Sequence, residues 1–167
     1  MKTNVLKLGV ILSLALFFTG CKTQNMASGN KMQYKQALQY LDSEHFKIKM
    51  IEFFNKKGDH TVQYPSDSYV ALCGSEAVLR FSKDLSFSSS SGSSFIEDKS
   101  PQLLNNRKNR KGDVLFDLKI NGGRNWLNYL LQVTLYKNTN KCFVQVKNMW
   151  QEEVATFTGV LEACGDE

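Results

Sequence analysis

The sequence predicts a mainly β protein, an antiparallel sandwich or barrel-like sheet with one short N-terminal helix. Three observations predict this class. Short segments of alternating apolar and polar residues recur along the chain, turn residues separate them, and only one stretch near the N-terminus has helical periodicity. Strands joined by turns, without helical crossovers, favour antiparallel pairing over a parallel sheet. An α+β arrangement is the alternative.

The N-terminal helix is predicted over residues Lys31 to Glu44. Its apolar residues fall at positions i, i+3, i+4 and i+7, which places them on one helix face. They are Tyr34, Ala37, Leu38 and Leu41. We expect this face to pack on the sheet. The alternative is that the apolar stripe only continues the flexible segment that precedes it.

The first strand is predicted from Phe46, where the apolar period changes from 3.6 to 2. Phe46, Ile48 and Met50 alternate with lysines, which is the pattern of a half-buried strand. The phase slips at Met50-Ile51, and this slip predicts either a β-bulge or a strand that is locally buried on both faces. The segment Lys57-Gly58-Asp59 is then expected to turn the chain.

Further strands follow at regular spacing. They are predicted at Thr61–Tyr64, Ser68–Cys73, Glu76–Phe81, Asp84–Phe87, Val114–Ile120, Leu127–Tyr136, Cys142–Lys147 and Val154–Leu161. The two-residue connection Gly74-Ser75 suits a type II′ hairpin, because glycine readily adopts the positive φ of the first central position. Asn121–Gly123 and Lys137–Asn140 predict two more turns.

The segment from Ser86 to Gly112 is predicted to be irregular. Residues 88–94 are all serine or glycine, and residues 105–111 are rich in positive charge, contributed by Arg107, Lys108, Arg110 and Lys111. A mobile, solvated loop is the simpler interpretation. If the segment binds, anionic lipid headgroups or a polyanionic glycan are the expected ligands, because cationic side chains are attracted to charged surfaces.

The first 20 residues have the layout of a secretory signal. Lys2 and Lys7 form a charged region, Val5 to Phe18 is apolar, and Thr19-Gly20 supplies small residues before Cys21. The apolar run is shorter than a membrane-spanning helix needs. Phe18-Thr19-Gly20-Cys21 resembles the lipobox of bacterial lipoproteins, although Phe18 stands where that family usually has leucine.

The lipobox resemblance implies cleavage before Cys21, a diacylglyceryl thioether on its sulfur and a further acyl chain on the new N-terminus. Several chains together hold a protein durably on a bilayer, so membrane lipid is the expected partner. An ordinary cleaved signal with a free Cys21 thiol is the alternative. The expected organisation is a signal peptide at 1–20, a lipidated cysteine and flexible tether at 21–30, and a single β-rich domain at 31–167.

The whole layout resembles the small uncharacterised lipoproteins common in Bacteroidetes-type bacteria. The segment Tyr69 to Phe81 and the closing Phe157 to Leu161 resemble sheet strands of that group. Its surface-exported members carry acidic residues just after the cysteine. Because Lys22 to Asn25 is not acidic, the resemblance implies a cell-envelope protein that faces the periplasm, with the outer membrane favoured.

Charge and cysteine content narrow the interpretation further. Without Lys2 and Lys7 the chain has 19 basic and 16 acidic side chains, a net charge of +3, which does not favour nucleic-acid binding.

Besides Cys21 there are three cysteines, so one disulfide can form among Cys73, Cys142 and Cys164 in an oxidising compartment. Their spacing lacks the close pairs of a zinc site, and no metal or cofactor is expected.

No catalytic constellation stands out. The adjacent carboxylates Glu97-Asp98 and Glu152-Glu153 would point to opposite faces of an extended strand. His45 and His60 flank the first strand and are interpreted as structural. A hydrolase of envelope material, or another periplasmic enzyme, is the alternative hypothesis, and it depends on His60 with Asp59 and Asp67 near one turn.

The aromatic residues of the C-terminal half either fill the core or line a ligand cavity, and core packing is favoured because Leu127, Tyr129, Leu131, Val133 and Leu135 alternate. Trp126 and Trp150 lie at strand ends and are candidates for an exposed contact. The sequence therefore predicts a non-enzymatic binding or envelope-associated module. A small apolar ligand or an envelope protein is its expected partner.

Overall fold

The computed structural model describes residues 24–54, 60–63, 67–82, 85, 94–123 and 128–165 of the 167. Within these residues one helix precedes ten strands. The elements are α1 (Gln24–Asp42), β1 (His45–Phe54), β2 (His60–Gln63), β3 (Tyr69–Cys73), β4 (Glu76–Phe81), β5 (Ser94–Asp98), β6 (Gln102–Lys108), β7 (Val114–Asn121), β8 (Asn128–Leu135), β9 (Lys141–Asn148) and β10 (Glu153–Ala163).

All the strands belong to one antiparallel sheet. Its order is β5-β4-β3-β1-β10-β9-β8-β7-β6, and β2 pairs with the end of β1 beyond β3. The sheet curls into a half-barrel. The mainly β, antiparallel and barrel-like prediction is therefore confirmed.

The two edge strands of the sheet are consecutive in sequence. Only residues 99–101 separate β5 from β6, so the curl brings opposite edges of the sheet close together. Asp98 fastens this end, because its Oδ2 accepts a hydrogen bond from the Asn121 amide at 2.7 Å and its Oδ1 accepts one from the Ser100 amide at 2.9 Å. β5 thus contacts β7 across the curl.

The inner face of the curled sheet is filled with side chains. The alternating residues of each long strand are buried there, including Leu131, Val133 and Leu135 of β8, as their pattern predicted. Phe46 of β1 meets Phe116 of β7 edge to face, with ring centroids 5.6 Å apart and planes at 72°. These two strands are four places apart in the sheet, so the contact crosses the interior of the half-barrel.

The helix is longer than predicted. α1 begins at Gln24, so residues 24–30 of the predicted tether are helical, and this corrects the tether's length. Ala37 and Leu41 are buried against the sheet, with Tyr34 and Leu38 partly buried beside them, which confirms the predicted apolar face. Residues 24–30 have no apolar periodicity, so the pattern that predicted the rest of the helix did not detect them.

The predicted bulge lies in β1. The pairing of β1 with β10 shifts register between Met50 and Glu52. Gly159 of β10 lies opposite Met50, and a Cβ at Gly159 would come within 2.7 Å of the Lys49 carbonyl oxygen. The sheet therefore needs a residue without a side chain at this point.

We expect Gly159→Ala to lower the free energy of unfolding by about 1–3 kcal/mol, because the added methyl group overpacks against backbone that has little room to shift. Urea denaturation measures the change. Gly29→Ala is the matched control: nothing lies within 4 Å of its added Cβ, and it is in the exposed helix. The control should raise stability by about 0.5–1 kcal/mol. Equal stability of both variants would contradict the close approach.

Most predicted strands are confirmed within one or two residues, and β4 has the predicted bounds. Gly74 has a φ of +67° in the hairpin between β3 and β4, as its turn requires. The predicted strand at Asp84–Phe87 is not found at Leu85, which lies in a bend, and its other residues lie outside the described part of the chain.

The prediction of an irregular segment between Ser86 and Gly112 is wrong for residues 94–98 and 102–108, which form β5 and β6. Both are edge strands with one neighbour each. In β6 most side chains are exposed, Asn105 has a φ of +57°, and the register shifts between Leu104 and Arg107. A bulged edge strand has no buried face to produce apolar alternation, so periodicity does not detect it.

Candidate functional site

The turn between β9 and β10 presents an exposed tryptophan, the one tryptophan among the described residues. Trp150 is 65% exposed and the neighbouring Met149 is 44% exposed. The Asn148 side chain orders this turn: its Oδ1 accepts hydrogen bonds from the amides of Trp150 and Glu152, and its Nδ2 donates to Glu152 Oε2, all at 3.0 Å. The backbone at Trp150, a predicted contact residue, is therefore ordered by hydrogen bonds, and its side chain is exposed.

A groove of about 390 Å³ lies beside this turn. Its lining combines apolar and polar side chains: Lys119, Asn128, Tyr129, Leu130, Asn148, Met149 and Gln151. Burial raises the pKa of the Tyr129 phenol above its usual value. A tyrosine hydroxyl is protonated at neutral pH even without this shift, and it can donate a hydrogen bond. We name the groove and residues 149–150 together the Trp150 surface.

The groove residues were not predicted as a site from the sequence. The sequence predicted Tyr129 and Leu130 as part of a strand and not as a site. Lys119 lies on β7 opposite Leu130 of β8. Only the pairing of β7, β8 and β9 brings them together. Trp126, the other predicted contact residue, lies outside the described residues, as does Cys21.

The predicted basic residues separate into two groups. Arg107 lines a second, polar depression of about 230 Å³ on the outer face of β6 to β9. There Asn105 Nδ2 donates to Asp117 Oδ2 at 2.7 Å. Lys108 ends β6, while Arg110 and Lys111 lie in the following turn, and all four basic side chains are exposed.

The turn at residues 109–113 is ordered rather than a mobile loop, which corrects the sequence-based interpretation. Asn109 Oδ1 accepts hydrogen bonds from the amides of Lys111 and Asp113, each at 2.9 Å, and Asn109 Nδ2 donates to Asp113 Oδ2. Asp113 Oδ1 accepts from the Lys137 amide at 3.0 Å. The hydrogen bonds from the Lys137 amide and from the Asn109 side chain hold the pKa of Asp113 below its usual value, which means that the fold favours the ionised carboxylate.

The paired carboxylates are engaged separately. Glu97 is exposed while Asp98 is buried and bonded to two backbone amides, which confirms that they face opposite sides. Glu153 Oε2 accepts from Gln145 Nε2 at 3.0 Å, and Glu152 belongs to the Asn148 turn. Each of these three bonded carboxylates thus has a local structural role.

The histidine candidates are not brought together within the described residues. His45 Nδ1 lies 3.0 Å from the Ser43 carbonyl oxygen, next to the Gly74 turn. Asp67 is exposed with a φ of +55°. Asp59 and the side chain of His60 lie outside the described part of the structure. No group of three His, Cys, Asp or Glu side chains that could hold a metal occurs in the part described.

The cysteine pairing that the sequence left open is Cys73 with Cys164, whose Cα atoms are 6.0 Å apart. Cys73 ends β3 and Cys164 follows β10, and β3 and β10 are the two neighbours of β1. The disulfide therefore joins both neighbours where β1 begins. Cys142 is a free thiol, fully buried on β9.

We expect Cys142 to be inert toward thiol reagents in the folded protein, because burial raises the pKa of its thiol and excludes the reagent. The test counts modified thiols at pH 8 in a Cys21→Ser background, without reductant. One thiol should react in urea and none in buffer. A Cys142→Ala variant should show none in either. Rapid labelling of the native chain would contradict the buried position.

No helix among the described residues has both the length and the apolar character that crossing a membrane requires.

The fold has a counterpart among solved structures. The chain is similar to the crystal structure of a DUF4251 family protein from Bacteroides eggerthii, with a TM-score of 0.65 and 13% sequence identity. The match covers 82% of this chain and 91% of that one, so nearly the whole architecture is shared. No protein-family model matches the sequence, and no curated protein matches it significantly.

Proposed function

We propose that the protein is a lipid-anchored module of the cell envelope that binds another envelope protein through the Trp150 surface and catalyses no reaction. Acylated Cys21 supplies the anchor, and the body faces the periplasm from the outer membrane. The observation that carries the binding role is the exposed Met149-Trp150 pair on a rigid turn beside a 390 Å³ groove.

The character of the Trp150 surface supports a protein partner. Tryptophan and methionine are enriched at protein interfaces, and an ordered turn lowers the entropy cost of association because little freedom is lost on binding. The groove next to it adds Lys119 and the Tyr129 hydroxyl as polar groups that can fix the orientation of a partner.

The filled interior of the half-barrel supports a surface role over the carriage of a small apolar ligand. Phe46, Phe116 and Phe157 are each at most 1% exposed, and the first two meet across the interior. A ligand inside the sheet would have to displace these rings.

The anchor is tested by metabolic labelling of the host with a palmitate analogue. The wild type should be labelled and recovered in membranes, whereas Cys21→Ser should be neither. Equal labelling of both chains would refute the anchor.

The binding role is tested by a photo-crosslinking amino acid placed in living cells at position 149 or, as the control, at Phe95. Phe95 is 58% exposed on β5, outside the Trp150 surface. We expect position 149 to capture one defined envelope protein and position 95 not to capture it. Trp150→Ala should abolish the capture, since a central tryptophan commonly contributes more than 2 kcal/mol. Capture that is unaffected by Trp150→Ala would refute the proposed surface.

A further inference from the structure

The end of the molecule opposite the Trp150 surface carries a concentrated positive charge. Tyr34 of α1 donates from its hydroxyl to the Gly112 carbonyl oxygen at 3.3 Å, which places the middle of the helix beside the turn that follows β6. We name the cations around this contact the basic end: Lys31, Lys35, Lys108, Arg110, Lys111 and Lys137. All six are exposed.

Hydrogen bonds and side-chain contacts hold the basic end in an ordered arrangement. The turn at 109–113 is ordered by its Asn109 and Asp113 hydrogen bonds. Lys137 lies over Gly112, where an added Cβ would come within 2.9 Å of Lys137 Cδ. Lys31 and Lys35 are four residues apart on α1 and therefore lie on one side of it. The acidic side chain of the turn, Asp113, points its oxygens at Asn109 and the Lys137 amide.

The short link between Cys21 and α1 keeps the basic end within reach of the bilayer. Cys21 is only three residues before α1 begins at Gln24, and three residues span at most about 11 Å. From Gln24 to Tyr34 the helix rises about 15 Å. Residues 29–33 are exposed, so the sheet does not cover this part of the helix. A helix that tilts onto the membrane brings the six cations to the headgroups.

We propose that the basic end docks on anionic lipid headgroups, so that the acyl anchor and the cations together fix the orientation of the domain. The inference rests on the proposed function for the anchor itself. β9 runs eight residues from the Lys137 turn to the Trp150 turn, about 26 Å. Docking by the basic end therefore holds the Trp150 surface away from the bilayer and free for a partner.

The binding test uses a chain that begins at residue 21 and carries Cys21→Ser, so that neither the signal segment nor acyl chains contribute. All described residues are retained. Sedimentation measures its binding to vesicles of phosphatidylcholine alone or with about one-third phosphatidylglycerol. We expect binding to the anionic vesicles only, and we expect it to fall with added salt because salt screens the attraction.

The variants Arg110→Gln and Lys111→Gln, made together, should weaken binding to the anionic vesicles about 30-fold, since each cation near such a surface strengthens it about fivefold. The matched control is Lys99→Gln, an exposed lysine just before the other end of β6, and it is compared with Lys111→Gln alone, which should weaken binding about fivefold. Lys99→Gln removes the same charge and should weaken binding much less. Circular dichroism checks that the variants fold.

Three outcomes would overturn the proposal: equal binding to neutral and anionic vesicles, equal losses in Lys111→Gln and Lys99→Gln, or full release of the chain by a soluble polyanionic glycan at a charge concentration matched to the lipid. The last result would assign the basic end to glycan binding. Because this chain lacks the acylation site, a failed palmitate label leaves the vesicle result standing, and the two proposals fail separately.

Orientation has its own measurement on the acylated protein in anionic vesicles. Brominated lipids quench tryptophans at the membrane surface. We expect Trp126→Phe, in which Trp150 is the one remaining tryptophan, to show no quenching, because Trp150 is distant from the bilayer. Quenching of Trp126→Phe would show the opposite orientation and overturn the proposal.

Discussion

Replacing Cys73 and Cys164 together by serine is expected to lower the free energy of unfolding by about 3–5 kcal/mol. The bond closes a loop with a sequence separation of 91 residues, and the entropy that such a bond removes from the unfolded chain grows with loop length. It also joins β3 and β10 beside the first residues of β1. Urea denaturation of a Cys21→Ser background measures the change.

Reduction provides the control for this prediction. A reductant should bring the parent chain to the stability of the double serine variant and leave the variant itself unchanged. Single replacement of Cys73 or Cys164 should cost about as much as the pair, because either one breaks the same bond. A parent chain whose midpoint does not move on reduction would show that the bond does not form in solution.

The sequence was informative where burial imposes a period. β1, β7, β8, β9 and β10 each have one face on the core, and their alternating residues predicted them within one or two residues. Local turn chemistry was equally informative, since Gly74 needs a positive φ that side chains disfavour. The slip at Ile51 predicted the bulge because one extra residue reverses the faces of a strand.

The parts that escaped prediction depend on contacts between distant residues. β6 is held by its pairing with β7 and by Asn105 on Asp117, so its own composition resembles a solvated loop. The first turns of α1 lack an apolar stripe, so helical periodicity does not detect them. The choice of Cys73 and Cys164 follows from both strands flanking β1, and no local spacing encodes that.

The candidate site follows the same division. Trp150 was identified because a large aromatic residue at a strand end has no place in the core, and it is exposed. The groove beside it combines residues of β7, β8 and β9, and register alone brings Lys119 opposite Leu130. The basic residues were identified in the sequence by their charge. The ordered conformation of the turn at 109–113 was not predicted, because it comes from the Asn109 and Asp113 hydrogen bonds.

Phe116→Ala tests whether the interior of the half-barrel is a packed core. Phe116 is 1% exposed and meets Phe46 edge to face across the interior. Its truncation should lower the free energy of unfolding by about 3–5 kcal/mol, through lost burial and the cavity left behind. Phe95→Ala, at a ring that is 58% exposed, is the control and should change stability by about 0.5 kcal/mol or less.

The same variant separates a filled core from a ligand carrier. An apolar cavity opened in a packed interior stays dry and takes up small apolar molecules, so benzene should raise the thermal midpoint of Phe116→Ala by mass action and leave the parent chain unchanged. Because native proteins are only marginally stable, Phe116→Leu provides a milder second variant with a smaller loss. If benzene stabilises the parent chain as strongly as the variant, the interior already has an open cavity. That result would favour the carriage of a small apolar ligand over a binding role at the surface.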